Sequence, residues 1–209
     1  MIPKIFSLIK NVYRNVFGTY NLSNLLSQEI ENECSILDVG CGRTSALMKI
    51  RKGSFRIGID IYKPYIEEIK GFSVHDGYCL CDVRELPFKS KSFDCAIATE
   101  ILEHLEKQEA FKMLQEIERV TRKKILMTTP NCFLATYPGP YDNPDETHLS
   151  GWFYDELKNM GFKVYGFHGL KYLWTIKAGQ AVPRFPKKLF AMLIDMSSSF
   201  AYKYPCKAF

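Results

Sequence analysis

Residues 34–42, Cys-Ser-Ile-Leu-Asp-Val-Gly-Cys-Gly, run from an apolar strand pattern into a turn holding two glycines, and the stretch Ser45 to Arg51 after them reads as helical. No other segment constrains the chain as much. A strand that leaves through a glycine turn into a helix returns as a second strand parallel to the first, because a tight hairpin cannot join parallel strands. That second strand is present as Phe55 to Ile61, and a helix from Pro64 to about Gly71 follows it. Its proline stands in the first turn, where the missing N–H would have had no helical partner.

The alternation continues downstream. Tyr78 to Val83, Phe93 to Thr99 and Lys124 to Thr129 read as further strands, with an amphipathic helix from about Gln108 to Val120 between the last two. Pro130 to Ser150 is rich in Pro, Gly, Asn and Asp and is long for a connection in a compact domain, which marks it as a functional lid. A helix from Phe153 to Met160 then leads to Phe162–Phe167 and Tyr172–Lys177, read as an antiparallel pair. The expected class is α/β, a mostly parallel sheet with helices on both faces, whose ligands bind beyond the carboxyl ends of the strands. No internal repeat or low-complexity tract interrupts it.

Composition excludes other classes. With 46% hydrophobic and 24% charged residues, the 209-residue chain is neither disordered nor fibrous. No run approaches the roughly 20 apolar residues that cross a bilayer, and Lys4, Lys10 and Arg14 interrupt the N-terminal segment, so a cytoplasmic location is expected. Seven cysteines without a C-x-x-C pair predict reduced, structural thiols. Residues 1–170 carry 21 basic and 22 acidic groups, whereas residues 171–209 carry seven basic groups (Lys171, Lys177, Arg184, Lys187, Lys188, Lys203, Lys207) against Asp195 alone. Both ends are therefore basic and amphipathic, and such segments either cover a domain with their apolar face or touch an anionic membrane surface or nucleic acid. The expected organisation is a helical extension over 1–33, a domain over 34–177 and a basic tail over 178–209. The run Arg122 to Lys124 is read as a solvated turn before the fifth strand.

Candidate ligand groups fall at strand ends. Gly40 and Gly42 let the backbone approach a ligand without a Cβ in the way. A dinucleotide fingerprint would place a third Gly or Ala where Ser45 stands, which disfavours NAD. Asp60 closes the second strand twenty residues after Gly40, where a carboxylate accepts both hydroxyl protons of a ribose. Asp82, at the third strand end, stands where it can accept from an exocyclic adenine amine.

Taken together, ILDVGCG, GIDIY, CDVRELPF, FDCAIATEILEHL and TTPN resemble, in order and spacing, the class I S-adenosylmethionine-dependent methyltransferases of the "methyltransferase type 11" group, over about residues 34–177. The resemblance implies a Rossmann-like seven-stranded sheet, six strands parallel and one reversed, and S-adenosyl-L-methionine as cofactor. It implies that Asp38, Gly40 and Gly42 line the methionine side, that Asp60 holds the ribose, that Asp82 and Val83 frame the adenine, and that Thr99 and Glu100 lie near the sulfonium. The chain departs from the pattern at Thr44, where a third glycine often stands.

On the acceptor side, Glu100, Glu103 and His104 stand at i, i+3 and i+4, one face of a helix. With His148 from the long loop they resemble the divalent-metal site of small-RNA 3′-terminal 2′-O-methyltransferases, and a similar stretch occurs in ubiquinone-pathway O-methyltransferases. Three readings stand side by side: Glu100, Glu103, His104 and His148 as ligands of Mg2+ or Mn2+ that acidifies the acceptor hydroxyl; Glu100, His104 and His148 as metal-free catalytic groups; or structural roles. Phe133, Tyr137, Tyr141, Trp152, Phe153 and Tyr154 either stack on a planar acceptor or belong to the core. The expected activity is O-methylation of a small-molecule, glycan or lipid hydroxyl, with peripheral membrane contact through the basic termini. RNA 2′-O-methylation, a non-catalytic binding module and an NAD-dependent oxidoreductase are its rivals.

Overall fold

The computed structural model describes residues 21–136, 143–177, 180–184 and 186–208. The expected N-terminal helix, Tyr137 and Tyr141 lie outside the described residues. The chain forms two compact units, one of residues 25–129 with 137–150, the other of residues 1–24, 130–136 and 151–209. Helix α1 (Leu22–Glu29) opens the described chain.

The first unit holds five parallel strands, β1 (Ser35–Val39), β2 (Phe55–Asp60), β3 (Gly77–Leu80), β4 (Phe93–Thr99) and β5 (Thr121–Thr128), in the order β3-β2-β1-β4-β5. Ile36, Leu37 and Val39 of β1 and Ala96, Ile97 and Ala98 of β4 are buried almost completely. Such unbroken apolar runs are what a parallel sheet covered on both faces requires. Helix α2 (Lys63–Lys70) packs on β2 and β3, and α3 (Lys107–Val120) packs on β5. The buried side of α3 is Ala110, Met113, Ile117 and Val120, spaced three and four apart as one helical stripe demands. Pairing of Val39 with Ile59 and Ala98, of Asp60 with Leu80, and of Thr99 with Thr128 brings the carboxyl ends of all five strands to one edge. The strand order reverses between β1 and β4, where ligands of open α/β sheets bind.

Arg122–Lys124 is not a turn but the start of β5. The charges are tolerated because each has a partner: Arg122 Nε lies 3.1 Å from Asp94, Lys123 Nζ 3.5 Å from Glu31 and Lys124 Nζ 2.6 Å from Glu29.

The second unit contains α4 (Tyr154–Asn159), a hairpin of β6 (Trp174–Lys177) and β7 (Gln180–Pro183), and α5 (Lys187–Lys203). The sheet thus has five described strands rather than seven, and the reversed pair expected from Phe162–Phe167 and Tyr172–Lys177 is replaced by the β6–β7 hairpin. Residues 163–167 form no ladder because they lie against α5 instead. A Cβ on Gly166 would stand 2.4 Å from the Ala201 carbonyl oxygen, and Tyr165 stacks on Tyr202 at 4.7 Å. None of the seven cysteines is in a disulfide, and Cys34, Cys41 and Cys95 are buried. Among the described residues no helix is long and apolar enough to cross a membrane.

Candidate active site

The turn after β1 needs its glycines. Gly40 and Gly42 have φ of +65° and +55°, and a Cβ on Gly40 would stand 2.2 Å from the Ile101 side chain. The turn is anchored by Asp60, whose Oδ2 accepts from the Gly42 N–H at 2.9 Å and whose Oδ1 accepts from the Tyr62 N–H at 2.8 Å. Burial raises the Asp60 carboxyl above its ordinary range, against the pull of those N–H groups. Each oxygen keeps a further lone pair, so Asp60 ties the β1 turn to the β2 end and retains acceptor capacity.

Asp38 lies beneath this turn, almost wholly buried. Its Oδ2 accepts from the Ser45 hydroxyl and faces His75 Nε2 at 2.8 Å, while Oδ1 has no hydrogen-bond partner among the described residues. Ser45, at the position where a dinucleotide fingerprint has Gly or Ala, is therefore a working part of the bed. His75 was not visible as such, since one histidine between two strands has no pattern to betray it. A Cβ on Gly58 would stand 3.1 Å from both the His75 ring and Cys41 Sγ, so Gly58 makes the space for the imidazole.

At the third strand end, Asp82 is held by Arg84 Nε at 2.9 and 3.0 Å, and Arg84 Nη1 reaches Glu109 at 2.9 Å. The guanidinium depresses the Asp82 carboxyl. Val83 beside it is buried.

Beyond β4 the chain does not continue as the α-helix expected for the Glu-x-x-Glu-His run. Glu100 takes φ +50°, with its N–H on the Thr128 carbonyl and hydroxyl at 3.1 and 3.2 Å, and only a 3-10 turn, Leu102–His104, follows. Left-handed backbone at a non-glycine residue is strained and concentrates at functional sites. As a result the expected set of four divides. Glu103, His104 and His148 each offer one ligand atom within 4.8 Å of the others, and Glu100 stands outside this group.

Glu103 is the group's fixed point, 1% exposed. Thr129 Oγ1 donates to its Oε2 at 2.9 Å, and Oε1 finds no donor among the described residues. Burial first, then the neighbouring Glu100 charge, pushes its carboxyl up to about 8. His148 is delivered by backbone pairing: the N–H groups of Leu149 and Ser150 both donate to the Glu103 carbonyl, at 2.8 and 3.0 Å. The His104 and His148 rings meet edge to face at 4.8 Å, and His104 Nδ1 is 3.3 Å from the Thr147 carbonyl. Two ligands of one dication bound at about 2.1 Å are at most about 4.2 Å apart, so this trio fits an ion after tightening by about half an ångström.

A clasp closes the same loop onto the glycine turn. Tyr65 of α2 donates its hydroxyl to Glu146, and Arg43 lies 3.2 Å from that hydroxyl, 3.9 Å from Glu146 and 4.9 Å above the Tyr65 ring. These three come from separate sequence regions, and no motif links them. Of the candidate aromatic residues, Trp152 is core, Phe133 and Phe153 are exposed, and Tyr154 lies under Lys158 Nζ at 5.6 Å.

Residues 37–126 match the methyltransferase domain family. Over 114 residues the chain is 35% identical to O-methyltransferase resE of Aspergillus sclerotiorum, covering 50% of this chain and 42% of that protein. Over 103 residues it is 30% identical to the uncharacterised protein MJ0638 of Methanocaldococcus jannaschii, covering 48% and 43%. The chain thus spans less than half the length of either relative. Among solved structures, BH2331 from Bacillus halodurans superposes with a TM-score of 0.54 at 16% identity, covering 66% of each chain. YcgJ of Bacillus subtilis gives 0.51 at 20% identity, covering 66% of this chain and 64% of that one. At these identities the two structures show the fold.

Proposed function

We propose that this chain, whose residues 37–126 match the methyltransferase domain family, is a class I enzyme that transfers the methyl group of S-adenosyl-L-methionine to a hydroxyl of a small molecule, glycan or lipid. The observation that carries the hydroxyl acceptor is the Glu103–His104–His148 group just beyond β4, close in the chain to Ile101, whose side chain packs on Gly40 of the glycine turn. The family supports S-adenosyl-L-methionine, and the O-methyltransferase among the relatives supports oxygen as acceptor atom.

Bound at the switch point, S-adenosyl-L-methionine supplies a methyl carbon made electrophilic by a sulfonium. The chain's own residues do the rest. Gly40 and Gly42 allow backbone approach, Asp60 offers its remaining lone pairs to the ribose hydroxyls, and Asp38 with Thr99 borders the methionine side. Asp82 and Val83 frame the adenine, with Arg84 holding the Asp82 carboxylate in place. A hydroxyl is a poor nucleophile until its proton is taken, and imidazole is the base suited to neutral pH. His148 takes that proton as the thioether leaves the methyl carbon, with the His104 ring edge-on beside it and Glu103 next to both.

In a second reading, favoured by the donor-less Oε1 of Glu103 next to two imidazoles, Glu103, His104 and His148 would hold Mn2+ or Mg2+, which would supply Lewis acidity for a hydroxyl acceptor. The two readings separate in one experiment with methyl-labelled S-adenosyl-L-methionine and a panel of phenolic, sugar and lipid hydroxyls beside 3′-terminal RNA. Label is expected in an ether, and His148→Ala is expected to lower the rate about 100-fold or more. Equal loss on chelation, restored by Mn2+, selects the metal reading. Label entering only amine or carbon acceptors, or RNA alone, contradicts the proposal.

A further inference from the structure

Helix α5 has two apolar sides, and one of them is occupied. Ile194 and Ala201 are buried, the backbone at Gly166 and Gly169 runs close against the carbonyl groups of Ala201 and Ile194, and Ser197 accepts the Leu170 N–H at 3.1 Å. The other side faces outward. Leu189 is 44% exposed, Met196 37%, Phe200 48% and Tyr204, just past the helix end, 45%. Steps of seven, four and four residues set these side chains in one line along the helix.

The exposed cations stand towards the ends of the helix. Arg184, Lys187, Lys203 and Lys207 are exposed, and Lys203 stands three residues from Phe200, on its flank of the helix, whereas Lys187 lies nearly opposite the stripe. Lys203 Nζ lies 6.0 Å from the Tyr204 ring, which meets the Phe200 ring at 4.5 Å between centroids. Asp195, the one acid of this segment, lies about a third of a turn round from the stripe. Aliphatic and aromatic side chains in a row, with a tyrosine at one end and a lysine on the flank, make up the pattern of a helix seated in a lipid interface. Nucleic acid would use the cations and stacking rings but leave Leu189 and Met196 without a role.

We infer that the outer face of α5 docks on an anionic lipid bilayer, lying in its surface with Leu189, Met196 and Phe200 in the acyl boundary and Lys203 and Lys207 among the headgroups. This goes beyond the proposed chemistry and stands without it.

The test is sedimentation of the full chain with vesicles of phosphatidylcholine alone or mixed with phosphatidylserine. The chain is expected to bind the mixed vesicles and to release them as salt rises. The double variant Leu189→Glu with Phe200→Glu should bind at least about tenfold more weakly at an unchanged melting temperature, since both side chains are exposed. If that variant melts early, Lys203→Gln with Lys207→Gln provides the reading, each lysine contributing about fivefold near the surface. Binding to mixed vesicles no better than to phosphatidylcholine, or binding that neither variant weakens, overturns the inference. It is equally overturned if the chain ignores vesicles but self-associates through the stripe, or binds single-stranded RNA that the lysine variant releases.

Discussion

A carboxylate buried beside another carboxylate is a liability that folding alone does not explain. Glu103 is almost inaccessible, has one oxygen without a donor among the described residues and adjoins Glu100. Glutamine at that position keeps the bond from Thr129 Oγ1 and carries no charge, so Glu103→Gln is expected to raise Tm by at least about 3 °C, the equivalent of about 1 kcal/mol in a domain of this size, while abolishing methyl transfer. Differential scanning calorimetry beside the activity assay checks both. A lowered Tm would make Glu103 a structural residue. The glycine turn was readable at this scale because a φ near +60° leaves glycine in the sequence. The bed beneath it was not, because Ser45 and His75 meet Asp38 only through the tertiary fold.

Elements were readable where the periodicity had no competitor. β4 and α3 fall where the pattern placed them, since an unbroken apolar run and a clean three-and-four stripe each admit one structure. Phe162–Phe167 alternates like a strand, yet Gly166 lets the chain press against α5, and the partner strand becomes β7, in a segment read as tail. The helix expected over the Glu-x-x-Glu-His run is replaced by a 3-10 turn for a related reason: helical spacing holds only on a helix, and Glu100 leaves β4 in a left-handed conformation. Among the strands, the far end of the sheet is tied by Asp94, which accepts from the Ser35 N–H and hydroxyl at 3.0 and 2.9 Å and pairs with Arg122. These partners hold its carboxyl well below the ordinary range. A depressed carboxyl contributes stability above its unfolded pKa and loses it as pH falls toward the folded one. Asp94→Asn is therefore expected to cost about 1–3 kcal/mol at pH 7, with the gap from wild type closing below about pH 4. Urea unfolding at both pH values checks this, and a pH-independent gap would assign the loss to packing.

For the whole molecule, strand order and glycine turn point to the edge where ligands of such sheets bind, and the match to the methyltransferase domain family, residues 37–126, spans that edge. The side where an acceptor would enter is the part that family resemblance transfers least, and tertiary contacts of the loops there, such as the Arg43–Tyr65–Glu146 clasp, leave no motif. The central claim is therefore the cofactor. Titration calorimetry of the full chain with S-adenosyl-L-methionine, with NAD as control and Asp60→Asn as variant, tests it most directly. Binding of S-adenosyl-L-methionine alone is expected, weakened at least about tenfold in the variant by the loss of a charged acceptor. No heat with S-adenosyl-L-methionine, or binding of NAD in its place, would contradict the account.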